Sequence, residues 1–129
     1  MLNNDDCIYT SEHGELYLGH LYTVELSTTF SATVKSYGFS GAHNFCMLRD
    51  DIQEQIDNLT AMSNSLSGTC KITDCESYSY IRLQFEGKEL KITGKLGMFN
   101  DDNSLKFGFF ADQTVLKLLA NVLTGFIAR

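Results

Sequence analysis

Through the C-terminal half of the chain, apolar and polar residues alternate with the two-residue period of strands buried on one face. Ile81, Leu83 and Phe85 take inward positions, followed by Leu90, Ile92 and Leu96 and then Leu105, Phe107 and Phe109. Arg82, Lys91, Lys95 and Lys106 fall on the opposite face. The pattern predicts a four-strand antiparallel meander over about Thr69–Thr73, Tyr78–Glu86, Glu89–Met98 and Ser104–Ala111. Glu86-Gly87-Lys88 and Asn100-Asp101-Asp102-Asn103 supply turn chemistry between the last three strands.

The period changes to that of a helix in two places. Ile52, Ile56, Leu59 and Met62 share one face after Leu48, with Asp50 as the expected N-cap and Gln53 completing a capping box. Ser67-Gly68 ends that segment. Asp112 is expected to cap a second helix over about Gln113–Ile127, which is apolar around most of its circumference and marked by a polar strip of Lys117, Asn121 and Thr124. Such a helix must be covered on more than one side, by the concave face of a twisted sheet or by a second copy of the chain.

The N-terminal third has a weaker pattern. Cys7–Thr10 and Glu15–Leu18 are expected to pair around His13-Gly14. Phe30, Ala32 and Val34 alternate with Ser31, Thr33 and Lys35 as one strand, a bend follows at Gly38–Gly41, and a further strand runs to about Leu48. The sequence shows no proline, internal repeat or interdomain linker. The expected fold is α+β: a mainly antiparallel twisted sheet of about six to eight strands with two helices, the C-terminal one packed on the sheet, residues 1–129 forming one domain.

Charge divides unevenly within a net −6. Residues 1–57 hold nine acids against two bases, leaving −7, and residues 58–129 hold eight bases against seven acids, leaving +1. Asp50, Glu54 and Asp57 form an acidic stripe on the first helix with Asp51 beside it, a surface suited to a basic protein partner. The cationic outer sheet face, which also carries Tyr80 and Phe110, offers an alternative as a small RNA- or anion-binding module, although it lacks an RNP-type motif. Without a basic and apolar leader or a long apolar run, the expectation is a cytoplasmic protein with Cys7, Cys46, Cys70 and Cys75 as free thiols.

Catalytic and metal-binding sets are hard to find. His13, His20 and His43 have no local partner for acid–base work and read as surface or turn residues. Asp101-Asp102-Asn103 lacks the alternating carboxylates and distal glutamate of a calcium loop, and Cys70 with Cys75 has neither a histidine nor a second pair nearby. No nucleophile motif or phosphate-binding glycine loop is present. The expectation is a binder that uses no cofactor or metal, not an enzyme.

Three blocks bear on identity: GFSGAHNFCMLRDDIQEQIDNL (Gly38–Leu59), SGTCKITDCESYSYIRLQFEGKELKITGKL (Ser67–Leu96) and NSLKFGFFADQTVLKLL (Asn103–Leu119). In this order they resemble the WapI family of bacterial immunity proteins from roughly Phe30 onward, with Asp112-Gln113-Thr114 the most specific element. Residues 1–29 lie outside the resemblance, and the turn at Glu86–Lys88 is shorter and less glycine-rich than the family usually has. The resemblance implies a cytoplasmic protein that binds and inhibits a cognate toxin domain, such domains often being nucleases, as in contact-dependent growth inhibition. It also implies a structural role for Asp112-Gln113-Thr114. The expected contact residues are Asp50, Asp51, Glu54 and Asp57, with Glu76 and Tyr78 on the adjoining loop. Membrane and nucleic acid are not expected partners, while the apolar C-terminal helix leaves a homodimer open.

Overall fold

The computed structural model describes residues 5–97 and 103–128, excluding the side chains of residues 5–7. Its elements follow the order β1 (Asp5–Thr10), β2 (Gly14–Val24), β3 (Ser27–Ser36), β4 (Phe39–Leu48), α1 (Arg49–Ser65), β5 (Thr69–Thr73), β6 (Tyr80–Glu86), β7 (Glu89–Gly97), β8 (Ser104–Ala111) and α2 (Thr114–Ile127). The eight strands and two helices give the expected α+β class. They divide into two antiparallel meanders, β1-β2-β3-β4 and β5-β6-β7-β8. The order is therefore ββββα twice over, a repetition with no counterpart in the residue sequence.

Strand periodicity translates directly into burial. Leu16 and Leu18 of β2, Phe30, Ala32 and Val34 of β3, and Phe45 and Met47 of β4 point inward. Ile81, Leu83, Leu90, Ile92, Leu96, Phe107 and Phe109 do the same in the second sheet, as their alternation predicts, while Phe85 and Leu105 are half-buried. Both sheets and both helices contribute to one contiguous core cluster. β8 lies against the first sheet through an aromatic residue fitted onto glycine: a Cβ at Gly14 would collide with the Phe109 ring. Ser36 Oγ donates to the Gly108 carbonyl at 3.3 Å beside it.

α1 buries Ile52, Ile56, Leu59 and Met62, the four expected positions. Its N-terminus differs from the sequence reading. Leu48 is the N-cap residue and no side chain caps it, so Asp50 lies inside the first turn. Gln53, instead of closing a capping box, donates through Nε2 to Asp57 Oδ1 at 3.1 Å. Helix initiation is fixed tertiarily: the Arg49 N–H donates to the Leu26 carbonyl at 2.8 Å, docking the β2–β3 turn on the helix start. Farther along, Gln55 Oε1 accepts the Lys71 N–H at 3.0 Å and seals an outward amide of edge strand β5.

α2 starts one residue later than expected: Gln113, with no side-chain cap bond, is the N-cap residue in place of Asp112, which acts from the residue before it. The Asp112 carboxylate accepts the Thr114 N–H at 2.9 Å, satisfying a donor of the first turn. Val115, Leu116, Leu119, Ala120, Leu123 and Phe126 are buried, with Phe126 5.4 Å from the ring of Phe30. The apolar breadth of α2 is thus consumed largely within the chain, and Leu118 is its exposed large apolar residue. The Asn100–Asn103 turn and the end of the third meander strand at Met98 fall mainly outside the described residues.

Candidate functional site

The acidic stripe lies where helical spacing puts it. Asp50, Asp51, Glu54 and Asp57 are all exposed on α1. Among the described residues the ion pairs are Glu12 with His13 and Asp74 with His43, so the helix acids have no basic side chain to neutralise them. The helix dipole favours Asp50 and Asp51 in the first turn but fades before Glu54 and Asp57. Asp50 and Glu54, four residues apart, repel one another and contribute nothing evident to helix stability.

Next to this stripe is an apolar patch that the sequence did not indicate. The tip of the β2–β3 hairpin exposes Leu21, Tyr22, Val24 and Leu26, with Leu26 67% exposed. Leu48, also exposed, pairs in register with Ser27 and leads directly into α1. Glu25 takes a left-handed conformation, φ 56°, at the tip, adding another acid to the rim. The backbone hydrogen bond from Arg49 to Leu26 holds the patch against the N-terminal end of the acidic helix. An exposed apolar cluster rimmed by unpaired acids has the anatomy of a protein-binding surface.

Glu76 and Tyr78 lie on the β5–β6 loop, both exposed. The Glu76 carboxylate comes within 4.8 Å of the Cys46 sulfur, two residues before Leu48, which places this loop at the α1 end of β4. The six sequence-selected residues come from two separate segments, α1 and the β5–β6 loop, and both adjoin β4.

Behind the loop is a polar knot. Asp74, 3% exposed, accepts the Cys46 N–H at 2.9 Å through Oδ1 and the Ser77 hydroxyl at 2.7 Å through Oδ2. The Glu76 N–H reaches Oδ1 at 3.3 Å, and His43 Nε2 lies 3.3 Å from Oδ2. Burial alone would raise the Asp74 carboxyl, but these hydrogen bonds outweigh it and hold the group below its ordinary value. His43 is consequently neither a bare surface histidine nor a turn residue, as its sequence context suggested. The knot unites a serine, a histidine and an aspartate without catalytic geometry. Ser77 and Asp74 both approach the same nitrogen of His43, and Ser77 donates its proton to Asp74, so the imidazole does not stand between carboxylate and nucleophile.

The cysteines separate by environment. Cys70 is buried and its thiol is pushed up to about 12 by desolvation. Cys75 is pushed up to about 11, first by burial and then by its hydrogen bond with Cys46 and the negative charge at Cys46, Asp74 and Glu76. Neither is an activated nucleophile. A cavity of about 410 Å³ lies between the β1–β2 and β3–β4 turns, where His13 stacks on Tyr37 at 5.2 Å. It is at the opposite end of the first sheet from the α1 N-terminus.

On the outer face of the second sheet, Lys71 and Arg82 sit over the ring of Tyr80, 4.7 and 5.5 Å from its centre, and Lys91 covers Phe110 at 5.4 Å.

The model of the family described as "Immunity protein WapI-like family" matches residues 24–129. The chain belongs to that family. No curated protein and no solved structure matches it. The WapI-like match begins at the tip of the β2–β3 hairpin, slightly ahead of the sequence resemblance, and takes in α1, the β5–β6 loop, the whole second sheet and α2. Membership suggests a toxin-immunity role and a non-enzymatic one, in keeping with the unsuitable geometry at His43, Asp74 and Ser77. No helix among the described residues is long and apolar enough to cross a membrane.

Proposed function

We propose that this WapI-like chain neutralises a cognate toxin domain by forming a stoichiometric complex in the cytoplasm, and that the toxin is a basic nuclease. The observation that carries this reading is the juxtaposition of unneutralised Asp50, Asp51 and Glu54 with exposed Leu26 and Leu48. A nuclease attracts its polyanionic substrate with lysine and arginine, and an acidic inhibitor enters the same field, which raises the association rate. The apolar hairpin tip supplies a desolvated centre that slows dissociation. Asp57, Glu76 and Tyr78 extend the contact to either side.

Co-expression with the C-terminal toxin domain encoded beside this chain tests the proposal. The expected result is restored growth and a one-to-one complex on purification. Toxicity that persists, with no complex recovered, overturns it.

A further inference from the structure

We propose that Cys46, Cys75 and Glu76 form a binding site for a thiophilic divalent cation of the zinc type. Their donor atoms, two sulfurs and a carboxylate oxygen, all lie within 4.8 Å of one another. Sulfurs bound to one tetrahedral zinc ion stand about 3.8 Å apart, given a metal–sulfur distance near 2.3 Å, so side-chain rotation suffices to close the set. The sequence hides this grouping because Cys46 lies in β4 of the first sheet and Cys75 in the β5–β6 loop of the second, and the relevant partner of Cys75 is not its near neighbour Cys70.

The backbone beneath the donors is already organised. The Cys75 N–H donates to the Cys46 carbonyl at 3.0 Å, joining edge strand β4 to the β5–β6 loop. One oxygen of buried Asp74 accepts the N–H groups of both Cys46 and Glu76, so a single carboxylate ties together the two segments carrying the ligands. This is the supporting role that outer-shell carboxylates take around metal ions. Asp74 and Glu76 also concentrate negative charge where a cation would sit.

Donor chemistry decides between a cation and a simple thiol pair. A disulfide would use the two sulfurs and leave Glu76 without a part. Two thiolates and a carboxylate give three protein ligands, and the exposure of Cys75 and Glu76 leaves the fourth tetrahedral position to water. The soft sulfurs select zinc-like ions over magnesium or calcium. Binding releases the two thiol protons, so affinity rises with pH. The bound ion would staple the two sheets at the edge of the proposed toxin-facing surface.

The test is titration of the reduced full chain with Co2+ as a spectroscopic probe, followed by Zn2+ competition. The expected result is a sulfur-to-cobalt charge-transfer band that saturates at one equivalent and is displaced by Zn2+. Cys46→Ser and Cys75→Ser remove the band, and Glu76→Gln weakens affinity roughly tenfold or more. Circular dichroism of the variants confirms that the fold persists. Absence of the band in the parent protein, or its persistence in Cys75→Ser, overturns the site. Formation of a Cys46–Cys75 disulfide in preference to metal-bound thiols when Zn2+ is supplied in aerated buffer also overturns it.

Discussion

Asp74 Oδ1 accepts the backbone N–H of Cys46 at 2.9 Å and so seals an outward-facing amide on edge strand β4 from a loop of the other sheet. Replacing Asp74 with alanine removes the acceptor of the part-buried Cys46 and Glu76 amides and of the Ser77 hydroxyl, at a cost of about 1–3 kcal/mol. Urea unfolding of the variant measures that loss. Because the native carboxyl sits below its ordinary 3.8, its contribution is fully present above that value and drains away as pH falls through the lower native one. The parent protein should lose stability in that acid window, and Asp74→Asn, already weaker at neutral pH, should lose less there.

The acidic stripe and the apolar hairpin tip should affect different rate constants. Lysine substitutions at Asp50, Glu54 and Asp57 should lower association with the toxin domain by about ten- to a hundredfold at low salt and abolish its salt dependence. Leu26→Ser and Leu48→Ala should chiefly raise the dissociation rate, with melting temperature little changed because both side chains are exposed and alanine at the N-cap adds no capping group. Surface plasmon resonance across a salt series separates the two. Unaltered association throughout the lysine series would remove the stripe from the interface.

Much of this fold could be read from the chain because one-sided burial writes itself as alternation. Thr69–Thr73 and Ser104–Ala111 have the bounds expected, and the four core positions of α1 follow from helical spacing. The helix start did not, because Leu48 has no capping side chain and Arg49 is held by a carbonyl 23 residues earlier, at Leu26. The division into two sheets was also hidden: alternation fixes which face is buried but not which strands share hydrogen bonds. At the candidate surface the acids were visible as a helical stripe. The hairpin tip was not, since the register of β2 shifts between His20 and Tyr22 and breaks the alternation there. His43, Asp74 and Ser77 come together only through tertiary contact, and no local spacing announces them.

Leu66 offers a stability gain. It closes α1 in the left-handed region, φ 55° and ψ 37°, where a side chain costs about 1 kcal/mol and glycine almost nothing. Its N–H bond to the Met62 carbonyl at 2.8 Å survives substitution, and its side chain is already half in solvent. Leu66→Gly should therefore raise stability by up to about 1 kcal/mol in thermal or urea melts, the relief of strain exceeding the added entropy of the unfolded chain. A clear loss would mean that the exposed leucine packs more tightly than its accessibility implies.

Two glycines should respond oppositely to the same substitution. Gly14 lies under the Phe109 ring, and that ring is 1% exposed and stacked on Tyr9 at 6.0 Å, so it has no free direction in which to retreat. Gly14→Ala should cost about 1–3 kcal/mol through overpacking. Gly125, within α2, has no atom within 4 Å of an added Cβ. Gly125→Ala should gain about 0.5–1 kcal/mol from helix propensity. Combining Gly14→Ala with Phe109→Leu should cost less than the sum of the two single changes, because the smaller side chain vacates the space that the methyl needs. A double-mutant cycle from thermal melts measures that coupling. Strict additivity would mean that the methyl at Gly14 is accommodated by backbone movement of β2, without displacing the ring.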